Sequence, residues 1–363
     1  MKNKTRLILV GGFLGAGKTT LLYESTKILM KEGKKVGLIT NDQASELVDT
    51  AYLLQTKVAV AEVSGSCFCC NFNGFVNSVR QVEKESEADV IISEPVGSCT
   101  DLSATIIQPL KDKFKNKVVV SPLTVLADPF KLKNILDGGT GGLHKSAAYI
   151  FEKQLEEADI IGITKTDLLA EDELDFLTEK VKTRFPHTKI MAISSRSGAG
   201  IQDWLNFVMT NNQTGQRIID VDYDIYAEGE AVLGWLNTSV SLTGNEINWD
   251  NFAYRFLKEF SRKIDAAQIS VGHIKLMIQN GTKYLAGNIT GDANTLEMRG
   301  KAGISDNAHM ILNARVGLTP DELDNMVKTL LAKTTGENIN PLIDAWKCLS
   351  PGYPNPTFRY KKS

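Results

Sequence analysis

Histidine is scarce in this 363-residue sequence, with four residues at positions 144, 187, 273 and 309. Without a His-rich tract, a histidine-based metal reservoir is excluded. Long apolar runs are missing too. No stretch approaches the ~18 residues that a membrane span needs. The apolar run 7–10 is too short for a secretory core and leads straight into glycines, so a cytoplasmic protein is expected. Charge of one sign is not in excess: 41 Lys and Arg stand against 43 Asp and Glu, a formal charge of -2. That balance supplies no global basic field to collect nucleic acid or an anionic membrane, and neither is expected as a partner. Cysteine pairs are lacking as well. Five cysteines are present, three of them crowded at 67, 69 and 70, with the others at 99 and 348. Bridge geometry is hard to satisfy between neighbours so close along a chain, and in a reducing compartment clustered thiols are more often metal ligands or redox groups.

What remains is ordinary for a soluble globular chain: 42% hydrophobic and 23% charged residues. At about 150 residues per domain, the length suggests two domains. Through the first two hundred residues short apolar runs (6–10, 36–40, 58–63, 90–93, 118–121, 160–164, 190–194) alternate with amphipathic stretches (19–31, 75–87, 147–157, 171–185, 201–209). This alternation predicts an α/β fold, a parallel sheet with helices on both faces, over residues 1–212. Ligands in such sheets bind beyond the carboxyl ends of the strands. A polar linker follows at 210–217. The grammar then changes to a smaller α+β domain at 218–363, with strands at 232–242, 273–278, 284–289 and 310–316. A helix at 250–264 carries Phe252, Phe256 and Phe260 on one face, and another opens at Thr319 with a capping box to Glu322. An irregular tail is expected from Lys347.

Gly12, Gly15, Ala16, Gly17, Lys18 and Thr19 lie in a complete G-x-x-x-x-G-K-[ST] element between a strand and a helix, the phosphate-loop pattern of a P-loop NTPase. Its glycines let backbone amides turn inward around phosphate oxygens, and the helix start adds its positive dipole end. Lys18 is expected to reach the β- and γ-phosphates, Thr19 to bind Mg²⁺, and Thr20 to meet the α-phosphate. Thr164, Lys165 and Asp167 form a [NT]-K-x-D element at a late strand end. An aspartate there accepts both the ring N–H and the exocyclic amine of guanine, which selects GTP/GDP over adenine nucleotides, and Ser195 is placed to offer a backbone amide to the base. Glu94 and Gly97 follow an apolar strand in the Walker B position. Glu94 is expected to hold Mg²⁺ through a water or orient the attacking water, and the Gly97 amide to read the γ-phosphate. Asn41, Asp42 and Asp49 fall where a switch segment would meet the metal and γ-phosphate.

Cys67, Cys69 and Cys70 follow a strand and precede a helix leading to Glu94. Three thiolates in four residues suit a soft or borderline cation, Zn²⁺, Co²⁺ or Cu⁺, and three ligands leave a position open for transfer. Buried packing cysteines and a redox group are the alternatives. Cys99, two residues past Gly97, is near enough in sequence to approach the cluster, though spacing does not establish it.

Together these motifs resemble the CobW-like GTPases, a metallochaperone family related to the nickel-insertion GTPases of urease and hydrogenase. The phosphate loop matches almost letter for letter. Asn41 to Asp49 stands at the family's switch, Cys67, Cys69 and Cys70 at its Cys-x-Cys-Cys motif, Glu94 and Gly97 at its Glu-x-x-Gly, and Thr164 to Asp167 at its guanine motif. Position 42 carries Asp where the family has Glu, and Thr164 replaces its usual Asn. The resemblance implies a slow GTPase that binds Zn²⁺ or Co²⁺ at the cysteine loop and delivers it to a metalloprotein client, with metal affinity coupled to nucleotide state. A nucleotide-dependent homodimer is expected on the same reading. An activator of a cobalt-corrinoid or other metalloenzyme that carries no free metal, and a P-loop kinase or ATPase with incidental cysteines, are the alternatives.

Overall fold

The computed structural model describes residues 4–42, 45, 47–290 and 295–361. Parts of the expected switch segment, Gln43, Ala44 and Glu46, lie outside the described residues. Eight short strands build a parallel sheet: β1 (Thr5–Gly12), β2 (Val36–Asn41), β3 (Ala59–Val63), β4 (Val90–Ser93), β5 (Val118–Val120), β6 (Thr124–Ala127), β7 (Ile160–Ile163) and β8 (Lys189–Ala192). Their order is β3-β2-β4-β1-β6-β7-β8, with β5 on the first half of β1 ahead of β6. Helices α1 (Lys18–Lys31), α2 (Val48–Leu53), α3 (Phe72–Ser86), α4 (Gln108–Lys113), α5 (Pro129–Leu136), α6 (Lys145–Glu157), α7 (Glu171–Arg184) and α8 (Ile201–Thr210) connect and cover it. Sheathing on both faces is why β1 reads as an unbroken apolar run: Leu7, Ile8, Leu9 and Val10 are all fully buried. The α/β prediction holds. The sequence reading passes over β6, because Thr124–Ala127 is short and follows a Ser-Pro step that reads as a loop.

After α9 (Tyr223–Ala231), a second sheet forms from β9 (Gly234–Asn248), β10 (Val271–Asn280), β11 (Lys283–Thr290), β12 (Thr295–Lys301), β13 (Ile304–Val316) and β14 (Ile339–Leu349), all antiparallel in the order β12-β11-β10-β13-β9-β14. Helices α10 (Trp249–Ala266) and α11 (Pro320–Thr335) take up its apolar face, with Phe252, Phe256 and Phe260 fully buried. Each such side chain contributes about 1.5–3 kcal/mol relative to exposure. The capping box at Thr319 and Glu322 forms as expected. The irregular tail starts later than expected, at Ser350: β14 runs on through Lys347 to Leu349, an edge strand whose Pro341 and polar alternation hide its character, since an edge tolerates a missing donor. Beyond it, residues 350–361 cross back over the parallel unit, where the Thr357 N–H donates to the Cys69 carbonyl at 2.8 Å. Helix α9 also packs there, against α6, with Gly229 so close to the Ser146 carbonyl that a side chain would not fit.

The opposite face of the second sheet meets the first unit. Period-two alternation turns Ile274, Leu276 and Ile278 toward the helices, which leaves His273, Lys275 and Met277 facing the rim of the parallel sheet. Met277 and Ile311 bury Val48 and Ala51 of α2. The short helix α2 is thus held between the two sheets.

Candidate functional site

The rim of the parallel sheet gathers the motifs, because each leaves the carboxyl end of a strand. Gly12 adopts a φ of 129°, and a Cβ there would sit 2.4 Å from the Leu126 carbonyl oxygen, so only glycine lets β1 run so close to β6 before turning into the loop. Lys18 folds its ammonium back onto the loop, donating to the Gly12 carbonyl at 2.8 Å and the Phe13 carbonyl at 3.4 Å. Burial lowers its pKa. Gly15, Gly17, Thr19 and Thr20 line the same pocket, and Ala16 is buried behind it. This glycine cradle with a lysine at its floor fits a nucleotide polyphosphate.

Thr19, Asp49 and Glu94 converge. The Thr19 hydroxyl lies 2.7 Å from Asp49 Oδ1 and 3.0 Å from Glu94 Oε2, and Lys18 Nζ is 3.9 Å from Glu94. A hydroxyl and two carboxylates are a hard-oxygen set that fits Mg²⁺. Burial, reinforced by the Asp49 charge, pushes the Glu94 carboxyl up to about 7. Asp49 is equally buried, yet the Lys275 ammonium and the Thr19 hydroxyl hold its pKa below the usual range. Lys275 comes from β10 of the second unit and donates to both Asp49 oxygens, at 2.6 and 2.7 Å. Asp42 is likewise engaged from across the interface. Arg315 of β13 donates to it at 2.7 Å while stacked 4.3 Å over the Trp235 ring and bonded to the Leu236 carbonyl. Among the described residues, Asp42 falls in no thiolate cluster. His273 is buried beside these cations, and desolvation keeps it neutral.

Sequence reading missed Lys275 and Arg315. Their signal was a polar residue and then a charged one at alternate positions (His273 then Lys275, Asn313 then Arg315) between apolar residues of the opposite face. Such a row normally faces water; here it faces the switch.

At the other end of the cleft, Thr164 is buried and donates to the Ala127 carbonyl, Lys165 pairs with Asp128 at 2.8 Å, and Asp167 accepts from the Ser194 hydroxyl at 2.6 Å. Ser195 and Arg196 line this end together with Glu297 and Arg299 of β12, so the second unit borders the guanine motif as well. Gly97 packs against the phosphate loop so tightly that a Cβ would meet Leu14 at 2.6 Å and Lys18 Nζ at 3.2 Å.

Four of the five cysteines form one cluster. The sulfurs of Cys67, Cys69 and Cys99 lie within 4.8 Å of one another, all buried. Cys70 is 3.9 Å from Cys69, half-exposed, and accepts the Asn355 N–H of the tail at 3.2 Å. Hydrogen bonds from Cys69, Cys70 and Cys99 bring the Cys67 thiol well below its ordinary pKa, so the group favours holding one thiolate. Four sulfurs suit a soft or borderline cation. The cluster is tied to the nucleotide rim by Asn41, at the end of β2. Its amide donates to the Val63 and Ser66 carbonyls, each at 2.8 Å, and its oxygen accepts the Phe68 N–H at 2.8 Å. Its neighbour Asp42 lines the nucleotide pocket.

Residues 6–192 match the family described as CobW/HypB/UreG, nucleotide-binding domain. Among curated proteins, the zinc-regulated GTPase metalloprotein activator 1 of Dictyostelium discoideum is 25% identical over 232 residues, which cover 56% of this chain and 48% of that protein. The zinc chaperone CobW of a Sinorhizobium species is 28% identical over 223 residues, 54% of this chain and 60% of that protein. The chain thus spans about half to three fifths of the length of these relatives. Among solved structures, the Zn(II)-bound YjiA GTPase of E. coli aligns over 92% of this chain and 99% of its own at 15% identity and a TM-score of 0.35. HypB of Helicobacter pylori in complex with nickel aligns over 56% and 86% at 17% identity and a TM-score of 0.41. Among the described residues, no helix is long and apolar enough to cross a membrane.

Proposed function

The chain belongs to the CobW/HypB/UreG family, and on that premise we propose that it is a GTP-binding, slowly GTP-hydrolysing metallochaperone of the cytoplasm that carries a transition metal, Zn²⁺ ahead of Co²⁺, on its cysteine cluster. One observation carries this reading: Asn41, which lines the nucleotide pocket, also hydrogen-bonds the backbone of the loop that holds the buried sulfurs. Lys18 and the loop amides bind the β- and γ-phosphates. Thr19, Glu94 and Asp49 would hold Mg²⁺, which supplies positive charge to the phosphates when bound. Asp167 selects guanine, with the Lys165 stem along the base and Ser195 at its oxygen edge. Gly97 presents its amide to the γ-phosphate, and Glu94, with its pKa near neutrality, orients the attacking water. Turnover is slow because two of the cations facing the site are already engaged, Lys275 by Asp49 and Arg315 by Asp42. Metal affinity and nucleotide state then share one coupling free energy that acts equally on both sites. Delivery to a metalloprotein client, and a nucleotide-dependent homodimer as the delivering species, belong to the same proposal.

The test is a zinc titration of the wild type and of a Cys67→Ser, Cys69→Ser, Cys70→Ser variant, each with GDP and with a non-hydrolysable GTP analogue. The wild type should bind with affinities that differ about 5-fold or more between nucleotides, the lower bound of ordinary allosteric coupling. The triple variant should lose tight binding. Equal affinity in all four states would remove the chaperone reading.

A further inference from the structure

The loop leaving β4 carries two groups with different duties. Gly97 lies against Leu14 and Lys18 of the phosphate loop. Two residues on, Cys99 is fully buried, with its sulfur inside the Cys67 and Cys69 group. The turn between them is tightly held. The Cys99 N–H donates to the Val96 carbonyl at 2.9 Å. The amide of Gln154, from α6, donates to the Gly97 carbonyl at 3.0 Å and to the Cys99 carbonyl at 2.8 Å. The Ser98 hydroxyl donates to Glu230 of α9 at 2.5 Å. A turn anchored on both flanks moves as a unit, so a displacement of Gly97 is passed to Cys99.

The cluster itself asks for more than three ligands. Zinc bound by thiolates alone is tetrahedral with Zn–S distances of about 2.3 Å, which places sulfurs roughly 3.8 Å apart. Cys67, Cys69 and Cys99 already lie within 4.8 Å of one another, and Cys70 lies 3.9 Å from Cys69. Beside them, the buried hydroxyl of Tyr226 has no hydrogen-bond partner among the described residues.

We propose that Cys99 is the fourth sulfur ligand of the carried metal and the ligand through which the γ-phosphate acts on metal affinity. This rests on the metallochaperone reading and extends it. Three ligands come from the loop after β3, which Asn41 fixes. The fourth comes from the segment that senses the nucleotide. A γ-phosphate seated at Gly97 draws this turn toward the phosphate loop and alters the Cys99 contact, while the other three sulfurs stay in place.

Zinc-edge X-ray absorption on the full chain loaded with zinc and GDP should count four sulfurs. Three sulfurs with a nitrogen or oxygen would overturn the proposal. Cys99→Ala should count three and should bring the ratio of zinc affinities between GDP and a non-hydrolysable GTP analogue to within about twofold, against about 5-fold or more in the wild type. GDP affinity of the variant reports its folding, and the wild-type sulfur count decides the matter even if the variant does not fold. A variant that keeps the full wild-type ratio would overturn the coupling role. The Cys67, Cys69, Cys70 triple serine variant separates the two levels. If it too binds zinc as the wild type does, the chaperone reading fails; if it loses zinc while Cys99→Ala behaves as the wild type, this inference alone fails.

Discussion

Lys275 bonds both oxygens of a carboxylate that belongs to the other half of the molecule. Its ammonium is held above its usual pKa by Asp49 and Glu94 against the opposing pull of burial. Removing one member of such a pair leaves a buried charge uncompensated, which costs about 3–5 kcal/mol. Lys275→Ala should therefore destabilise the nucleotide-free protein by about 3 kcal/mol in urea unfolding. Mg²⁺ with GDP should restore much of that loss, because it brings positive charge to the same oxygens. A variant as stable as the wild type without nucleotide would show the pair to be incidental. Glu157 presents the opposite case. It is fully buried, accepts the Ser103 N–H at 2.9 Å, and burial pushes its carboxyl up to about 8. The folded chain thus keeps a proton that the unfolded chain releases near pH 4.3. Stability from this group is complete below that value and is lost as pH rises from about 4.3 to about 8. Glu157→Gln should flatten the fall of unfolding free energy between pH 5.5 and 7.5 by up to about 1.4 kcal/mol per pH unit. An unchanged slope would mean the carboxylate is ionised in the fold.

At the scale of elements, the Asn41 side chain joins β2 to the cysteine loop. Asn41→Ala leaves the Phe68 N–H and the Ser66 carbonyl without this partner, while the Val63 carbonyl keeps the Asp42 N–H, a loss of about 1–3 kcal/mol for a buried unsatisfied group. The expected result is a smaller difference in zinc affinity between GDP and GTP-analogue states, read by the same titration that tests the chaperone reading. Retention of the full difference would locate the coupling elsewhere. The elements themselves were unevenly legible. Strand β4 and the helix from Glu171 stood out because local pattern and burial agree, with apolar runs where the chain is covered and polar faces where it is not. The phosphate loop was legible for another reason: its chemistry admits few residue types at fixed spacing. Helix α2 was not, since six residues offer too little periodicity and its apolar positions Val48 and Ala51 are buried by β10 and β13, more than two hundred residues away. Lys275 and Arg315 were hidden by the same cause. Alternation reports which residues share a face, but not what that face meets.

Taken whole, the molecule closes over its metal loop with its own last residues. Residues 350–361 pass from β14 back across the parallel unit. The Asn355 N–H reaches the Cys70 sulfur at 3.2 Å, the Thr357 hydroxyl donates to the Cys70 carbonyl at 3.0 Å, and the Phe358 ring stands edge-on to Phe72 at 5.3 Å. Arg359 then pairs with Asp101 at 2.6 Å, close to the loop that bears Cys99. The Cys67 sulfur pushes the Cys70 thiol up to about 11 and the Asn355 N–H offsets only a small part of that, so this strap acts by shielding Cys70. A chain ending at Leu349 loses these contacts and leaves the phosphate loop and the guanine motif intact. With net hydrogen bonds at about 0.5–1.5 kcal/mol each, two of them amount to roughly a tenfold change in rate or affinity. The shortened chain should therefore release zinc to a chelator about tenfold faster, and its Cys70 should react faster with a thiol reagent, while GDP affinity changes little. GDP binding also reports that the shortened chain has folded. If zinc release and thiol reactivity match the full chain, the strap is an ornament of the fold, and the metal loop opens by the nucleotide route alone.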